Sequence, residues 1–228
     1  MPLDQSTLPD VGGLVVAILG GTGDQGRGLA VRLALAGQRV LIGSRAPERA
    51  QNAAKEIAEQ TGGPVEGAGN REVASRADIV IVAVPFAGHA DTLLELVEPL
   101  HGKIVVDCVN PLGFDKQGPH ALPVPEGSAA QQAERILAGS RVTAAFHHVS
   151  ADLLADLSVE EVDLDVLVLG DDREAVAVVQ ALAGRINGVR GVYAGRLRNA
   201  GQVEAFTANL IAINKRYGAH AGIRITDL

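Results

Sequence analysis

An α/β fold built on a doubly wound parallel sheet is predicted by three observations. Short apolar runs alternate with segments of helical spacing, glycines and prolines punctuate the joins, and the first run leads straight into a glycine-rich turn. That run, Val15-Val16-Ala17-Ile18-Leu19, is β-branched and continuous, as expected of a strand buried on both faces. Five glycines then fall within residues 17–28, "AILGGTGDQGRG". From Arg27 to Ala36, Leu29, Ala30, Leu33 and Ala34 recur at helical spacing and stop at Gly37, a residue suited to a helix C-terminus.

The alternation continues along the chain. Residues 39–43 read as a second strand, 48–60 as a helix and Gly62-Gly63-Pro64 as its stop. The next strand expected is 78–84, ending at Pro85, followed by a helix carrying leucines at 93, 94, 96 and 100 and a strand over 103–109. Four prolines and three glycines between Pro111 and Gly127 mark a loop long enough to be functional. Beyond it, helices are expected at 129–137, 174–183 and 202–217, with strands at 142–146, 165–169 and 189–193. The expected organisation is a polar, flexible tail at 1–13, a Rossmann-type nucleotide-binding domain at 14–152 and a smaller C-terminal α/β cap at 153–228 that extends the sheet and helps close the site.

Composition narrows the function. The chain has 228 residues, a formal charge of −7 and no basic block that could follow a phosphate backbone, which speaks against nucleic acid as a partner. No apolar run approaches the roughly 20 residues that span a bilayer, and the first 13 residues lack the pattern of a secretory signal. A cytoplasmic protein is expected. The single cysteine, Cys108, lies inside an apolar run and reads as a core residue.

Gly21-x-Gly23-x-x-Gly26 sits between a strand and a helix, the context in which this pattern marks a dinucleotide site. Gly21 makes the tight turn, Gly23 admits a pyrophosphate to the backbone and Gly26 lets helix pack on strand. In NAD-preferring folds an acidic residue ends the second strand and holds the ribose 2′-hydroxyl. Here the chain reads Gly43-Ser44-Arg45, with Arg49 one turn further on the same helical face. A hydroxyl and two guanidinium groups in place of a carboxylate favour NADP.

Acid–base machinery is sparse, and no catalytic side chain is expected. There is no His/Cys cluster with zinc spacing and no Gly-x-Ser-x-Gly elbow. Neither tyrosine begins the Tyr-x-x-x-Lys of short-chain reductases, since Leu197 follows Tyr193 and Ala221 follows Tyr217 at that spacing. His147 and His148 end an expected strand, where ligands bind in open α/β sheets.

The segments "LGGTGDQGRGLAVRLA", "IGSR", "DIVIVAVP", "AAFHHVSA", "VLGDD" and "AGIRI" together resemble the NADPH-dependent reductases of the 8-hydroxy-5-deazaflavin coenzyme F420. The likeness spans nearly the whole chain after the tail. It implies reversible hydride transfer between nicotinamide C4 and deazaflavin C5, with NADP and F420 as cofactors and a homodimeric protein. By resemblance, Thr22, Gly23, Asp24 and Gln25 form the phosphate turn, and Ser44, Arg45 and Arg49 the 2′-phosphate site. Val84 and His89 match positions near the nicotinamide. The segment from His147 to Ala151, above all Val149 and Ala151, matches the loop between the two rings, and Ala221 a position that closes the site. Ser150 stands where a proline is expected in archaeal members, and Arg49 where the family carries a lysine. Other readings remain: an NADPH-dependent reductase of a flavin or small imine, and a non-catalytic NADP sensor.

Overall fold

The structure, a computed structural model, describes residues 7–228. Eight strands form one sheet in the order β10-β9-β8-β5-β4-β1-β2-β3. Strand β1 (Val15–Leu19) pairs in parallel with β2 (Arg39–Ser44) on one side and β4 (Ile79–Val82) on the other. Its alternation assigns each residue to a face. Val16 and Ile18 join a core with Leu29 and Leu33 of α1 (Asp24–Leu35) and Ile57 of α2 (Pro47–Thr61), while Ala17 and Leu19 join the opposite core with Val73, Leu93 and Leu100. The order of strands reverses between β1 and β4, so the ends of these two strands frame the crevice where such sheets bind ligands.

Several expected elements differ from the structure. Strand β3 (Val65–Gly69) and helix α3 (Asn70–Arg76) escape a reading by pattern because "VEGAG" has one large apolar residue and two glycines. Gly67 is required there: a side chain would collide with the carbonyl of Ala50 in α2. The helix expected around the leucines splits into α4 (His89–Leu94) and α5 (Val97–Leu100). Pro99 has no N–H for the carbonyl of Glu95, which instead accepts from Arg71 at 3.2 Å.

The expected loop over 111–127 contains a hairpin, β6 (Leu112–Asp115) with β7 (Gly118–Ala121). Strand β5 (Ile104–Asp107) pairs with β8 (Arg141–Ala144), which ends earlier than expected because Phe146 adopts φ +66° and turns the chain out of the sheet. A short helix α7 (Ala151–Ala155) follows, and β9 (Leu164–Gly170) re-enters at the edge that β8 left. It therefore runs antiparallel to β8, and β10 (Val189–Gly195) follows β9 in parallel through α8 (Arg173–Ala183). The C-terminal part thus extends the same sheet with two reversed strands, making the sheet mostly and not wholly parallel.

Helix α6 (Ala129–Ile136) and the long α9 (Ala200–Tyr217) pack on the face that holds Leu93 and Leu100. The tail expected at 1–13 is tied down at its C-terminal end, where Val11 is buried and the Gln38 side chain donates to the carbonyls of Val11 and Leu14. Residues 1–6 of that tail lie outside the described residues. Among the described residues no helix is long and apolar enough to cross a membrane.

Candidate dinucleotide cleft and the loop beside it

A cleft of about 1030 Å³ opens at the carboxyl ends of β1 and β4. Its floor is the glycine turn. Gly20 has φ +74°, and a Cβ at Gly26 would lie 2.7 Å from the Gly20 oxygen and 2.8 Å from Gly21 Cα, so only glycine lets α1 start this close to β1. The Gly21 N–H donates to Gly43 at 3.2 Å, and Gly23 caps α1 with extended backbone and no side-chain bond. The first bond of the helix runs from Arg27 to Gly23 at 2.8 Å, leaving the N–H groups of Asp24, Gln25 and Gly26 without helical partners. A Cβ at Gly23 would meet only the Gly20 oxygen, at 3.5 Å, so the approach to those donors is open on this side. Open backbone donors at a helix N-terminus fit a pyrophosphate.

One wall of the cleft carries Ser44, Arg45, Arg49 and Asn70. Ser44 is buried, with its hydroxyl accepting from Ala46 N–H at 3.2 Å, whereas Arg45 and Arg49 are exposed and make no ion pair among the described residues. Two free guanidinium groups and no lining carboxylate at this end fit a 2′-phosphate. Asn70 was missed with β3; its Oδ1 packs against Gly43, where a Cβ would lie 2.8 Å away. The signal available in the sequence was the glycine pair at 67 and 69, which admits a strand too poor in apolar residues for periodicity to find.

The other wall comprises Ala83, Val84, Pro85 and the start of α4. His89 does not join it. Its ring is fully buried behind the wall, with Nε2 2.6 Å from Asp107 Oδ2 and Nδ1 2.9 Å from Gln132 Oε1. Burial favours the neutral ring, but the hydrogen bond and charge of Asp107 outweigh it and raise the pKa. The structure therefore gives His89 a role in joining α4 to β5 and α6, one residue beyond the cleft lining.

The segment 146–151 passes over the sheet beside the cleft. Its backbone is held from both sides: Gln25 Nε2 donates to the Phe146 carbonyl at 3.3 Å, Asn110 Nδ2 to that of His147 at 3.2 Å and Thr207 Oγ1 to the same oxygen at 3.3 Å. His148 Nε2 donates to the Val203 carbonyl at 2.7 Å, fixing its tautomer. His147 is buried with both ring nitrogens unpartnered, and burial, reinforced by His148, pushes it down to about 3. It is neutral at physiological pH and unsuited to proton shuttling. Val149 is buried and Ala151 half-buried at the start of α7. Ser150 Oγ lies 3.2 Å from His220 Nδ1, and Ala221 N–H donates to Asn214 Oδ1 at 2.6 Å, so the C-terminal segment passes beside this loop. Asn110, Asn214 and Thr207 carried no sequence signal, since single polar residues on predicted elements have no periodicity.

Cys108 is buried with its Sγ 3.1 Å from the Val82 carbonyl, and burial pushes its thiol pKa up. It is a core residue.

Comparison with known proteins decides the family. The chain is 43% identical over 221 residues to the F420-dependent NADP reductase of Methanothermobacter marburgensis, covering 93% of this chain and 98% of the relative. The protein belongs to the F420-dependent NADP reductase family. The family model for NADP oxidoreductase, coenzyme F420-dependent, matches residues 15–111. The relative of the same name from Methanocaldococcus jannaschii is 43% identical over 222 residues, 93% of this chain and 98% of its own length. Among solved structures, a chain from Arthrobacter sp. FB24 assigned as an F420-dependent NADP reductase superposes with a TM-score of 0.80 at 29% identity, covering 94% of this chain and all of that one. Nothing in the cleft conflicts with membership: the open glycine turn and free arginines suit a phosphorylated dinucleotide.

The buried acid Glu204 ties α9 to this site. Its carboxylate accepts from the N–H groups of Ala129 and Ala130 at 2.9 and 3.1 Å, capping α6. Burial pushes its carboxyl up to about 7, the two N–H bonds opposing; Asp107 of β5 raises it further and His89 of α4 lowers it. A folded pKa above the unfolded value means that the folded state holds the extra proton between about 4.5 and 7. Stability therefore declines as pH rises through that window, by on the order of 2–3 kcal/mol for this group. Urea melts of wild type and Glu204→Gln at pH 5 and pH 8 should show the variant gaining relative to wild type by about that amount; a difference independent of pH would contradict the assignment.

Proposed function

We propose that the protein catalyses reversible hydride transfer between NADP(H) and coenzyme F420. The observation that carries this reading is the length of the likeness to the F420-dependent NADP reductases, which takes in the 146–151 segment and the C-terminal part as well as the nucleotide half. When both are bound, nicotinamide C4 and deazaflavin C5 exchange the hydride, so the cofactors carry the chemistry. The chain binds, orients and excludes water. In this reading the first-turn N–H groups of α1 hold the pyrophosphate, with Thr22, Gly23, Asp24 and Gln25 shaping the turn. Ser44, Arg45 and Arg49 hold the 2′-phosphate, and Val84 flanks the nicotinamide. The backbone around His147, Val149 and Ala151, backed by Ala221, positions the second ring system. Residues 14–152 act as the NADP-binding domain and 153–228 as the part that completes the F420 site.

Neither His147 nor His89 is free to act as an acid or base, which suits this chemistry. His147 is held neutral, and His89 is committed to Asp107 and Gln132. The reading extends to a cytoplasmic homodimer: Phe114 on the hairpin and Phe206 and Tyr217 on α9 are large exposed side chains of the kind that subunit contacts cover. Light scattering should then give twice the 23.6 kDa of the chain; a monomer at micromolar concentration would contradict it.

Purified protein supplied with NADPH should reduce F420, seen as loss of the coenzyme's visible absorbance, and leave FMN unreduced. Reduction of FMN in preference to F420 would transfer the activity to a flavin reductase. Tight NADPH binding with no acceptor reduced would indicate a sensor.

A further inference from the structure

Helix α1 does more than present its N-terminus to a phosphate. Residues 25, 28 and 32 lie on one face of it, at i, i+3 and i+7, and each touches either the segment beside the cleft or the short helix and chain that follow it. Gln25 donates to the Phe146 carbonyl at 3.3 Å. At Gly28 a Cβ would lie 2.7 Å from Leu154 Cβ and 3.2 Å from the Ala151 oxygen, so α7 rests directly on the α1 backbone. Arg32, buried at 6% exposure, spreads its guanidinium over four carbonyls. Nε donates to Leu154 at 2.8 Å, Nη1 to Val159 at 2.6 Å, and Nη2 to Leu153 at 2.8 Å and Asp156 at 2.7 Å.

Those carbonyls belong to the end of α7 and the chain just beyond it. A five-residue helix has no stability of its own, and its last carbonyls need partners from outside. Arg32 supplies them with a rigid planar fork, and its positive charge meets the negative end of the helix. Among the described residues no carboxylate side chain hydrogen-bonds this guanidinium. Burying it is therefore unfavourable compared with an apolar residue of similar volume, and what it adds is geometry: α7 can sit in only one place along α1.

We infer that Arg32 is a positioning residue for hydride transfer. Through α7 it fixes the 147–151 loop at a set distance from the pyrophosphate turn at the other end of the same helix, so one rigid rod gauges the separation of the two ring systems. The inference rests on the F420 reading of that loop. Reaction between two held rings is steeply sensitive to placement, an error of about 1 Å being enough for a loss on the order of 100-fold.

Arg32→Met removes the fork, and Arg32→Lys keeps the charge but offers a point donor in its place. Both are compared with wild type at a temperature where circular dichroism shows them folded. The NADPH Kd, from calorimetry, should stay within about threefold of wild type, because the α1 N-terminus is left intact. The kcat for F420 reduction should fall by about 10- to 100-fold in Arg32→Met and by less in Arg32→Lys. With NADPH deuterated at C4, the isotope effect on kcat should rise as transfer becomes limiting. A purely structural anchor would lower the melting temperature and leave kcat and isotope effect unchanged in the folded variants, and that result would overturn the inference. So would a loss of NADPH affinity matching the loss of kcat. If Arg32→Met does not fold, Arg32→Lys decides by the same readouts. Failure of the wild-type protein to reduce F420 would instead strike the functional reading, before any variant is compared. Amide exchange over 147–156 would then still test the positioning, with at least tenfold faster exchange expected in Arg32→Lys and unchanged exchange overturning it.

Discussion

The double variant Arg45→Ala, Arg49→Ala should bind NADPH about 10²- to 10⁴-fold more weakly than wild type, at roughly 1.5–3 kcal/mol for each charge-assisted hydrogen bond to phosphate that is removed. NADH affinity should change by less than a few-fold, because NADH has no 2′-phosphate for these side chains to meet. The asymmetry follows from what the structure leaves free: both guanidinium groups stand on the cleft wall with no carboxylate engaged. Their removal strips no ion pair among the described residues, so the melting temperature should hold. Calorimetric titration with both nucleotides checks it, and equal losses for the two would refute the 2′-phosphate assignment.

Gly26→Ala should weaken NADPH binding by about 100-fold or more, as roughly 1.5–3 kcal/mol is lost for each of two or more N–H bonds to the pyrophosphate. The added methyl would meet backbone atoms of Gly20 and Gly21 at 2.7 and 2.8 Å, and backbone cannot rotate aside as a side chain can. The α1 N-terminus must lift from β1, and the N–H groups of Asp24, Gln25 and Gly26 move with it. Gly37→Ala serves as the comparison. It lies at the far end of the same helix with φ +76° and nothing near its Cβ position, so it should lose stability through backbone strain and keep its NADPH affinity. Retention of tight binding in Gly26→Ala would show that the turn does not hold the pyrophosphate.

The nucleotide half was legible because its chemistry is written in local sequence. A buried parallel strand needs a continuous apolar run, the close approach of α1 needs Gly26, and the cationic wall of the cleft shows in the residues that finish and follow β2. Elements without such demands were hidden. Strand β3 is short and glycine-rich, held by its fit against α2, and with it Asn70 went unseen. The break between α4 and α5 turns on one missing N–H at Pro99, which helical spacing of leucines overrides in a reading by pattern. Resemblance supplied His89 as a nicotinamide neighbour, yet its nitrogens are spent on Asp107 and Gln132. No one-dimensional pattern could reveal that the 146–151 loop is gripped by Gln25, Asn110, Thr207 and, through α7, Arg32. These partners lie 37 to 122 residues away in the chain and meet it only after the sheet has formed.

In the proposed reading the hydride passes directly between two cofactors that the protein orients, with no side chain relaying it. Reduction of F420 with NADPH labelled with deuterium at the transferred C4 position, followed by mass spectrometry of the product, tests that most directly. Direct transfer predicts one deuterium retained at C5 of the reduced deazaflavin and none in the water. Label washed out to solvent would contradict it, since the hydrogen would then have passed through an exchangeable group, and His147 would be the first residue to replace.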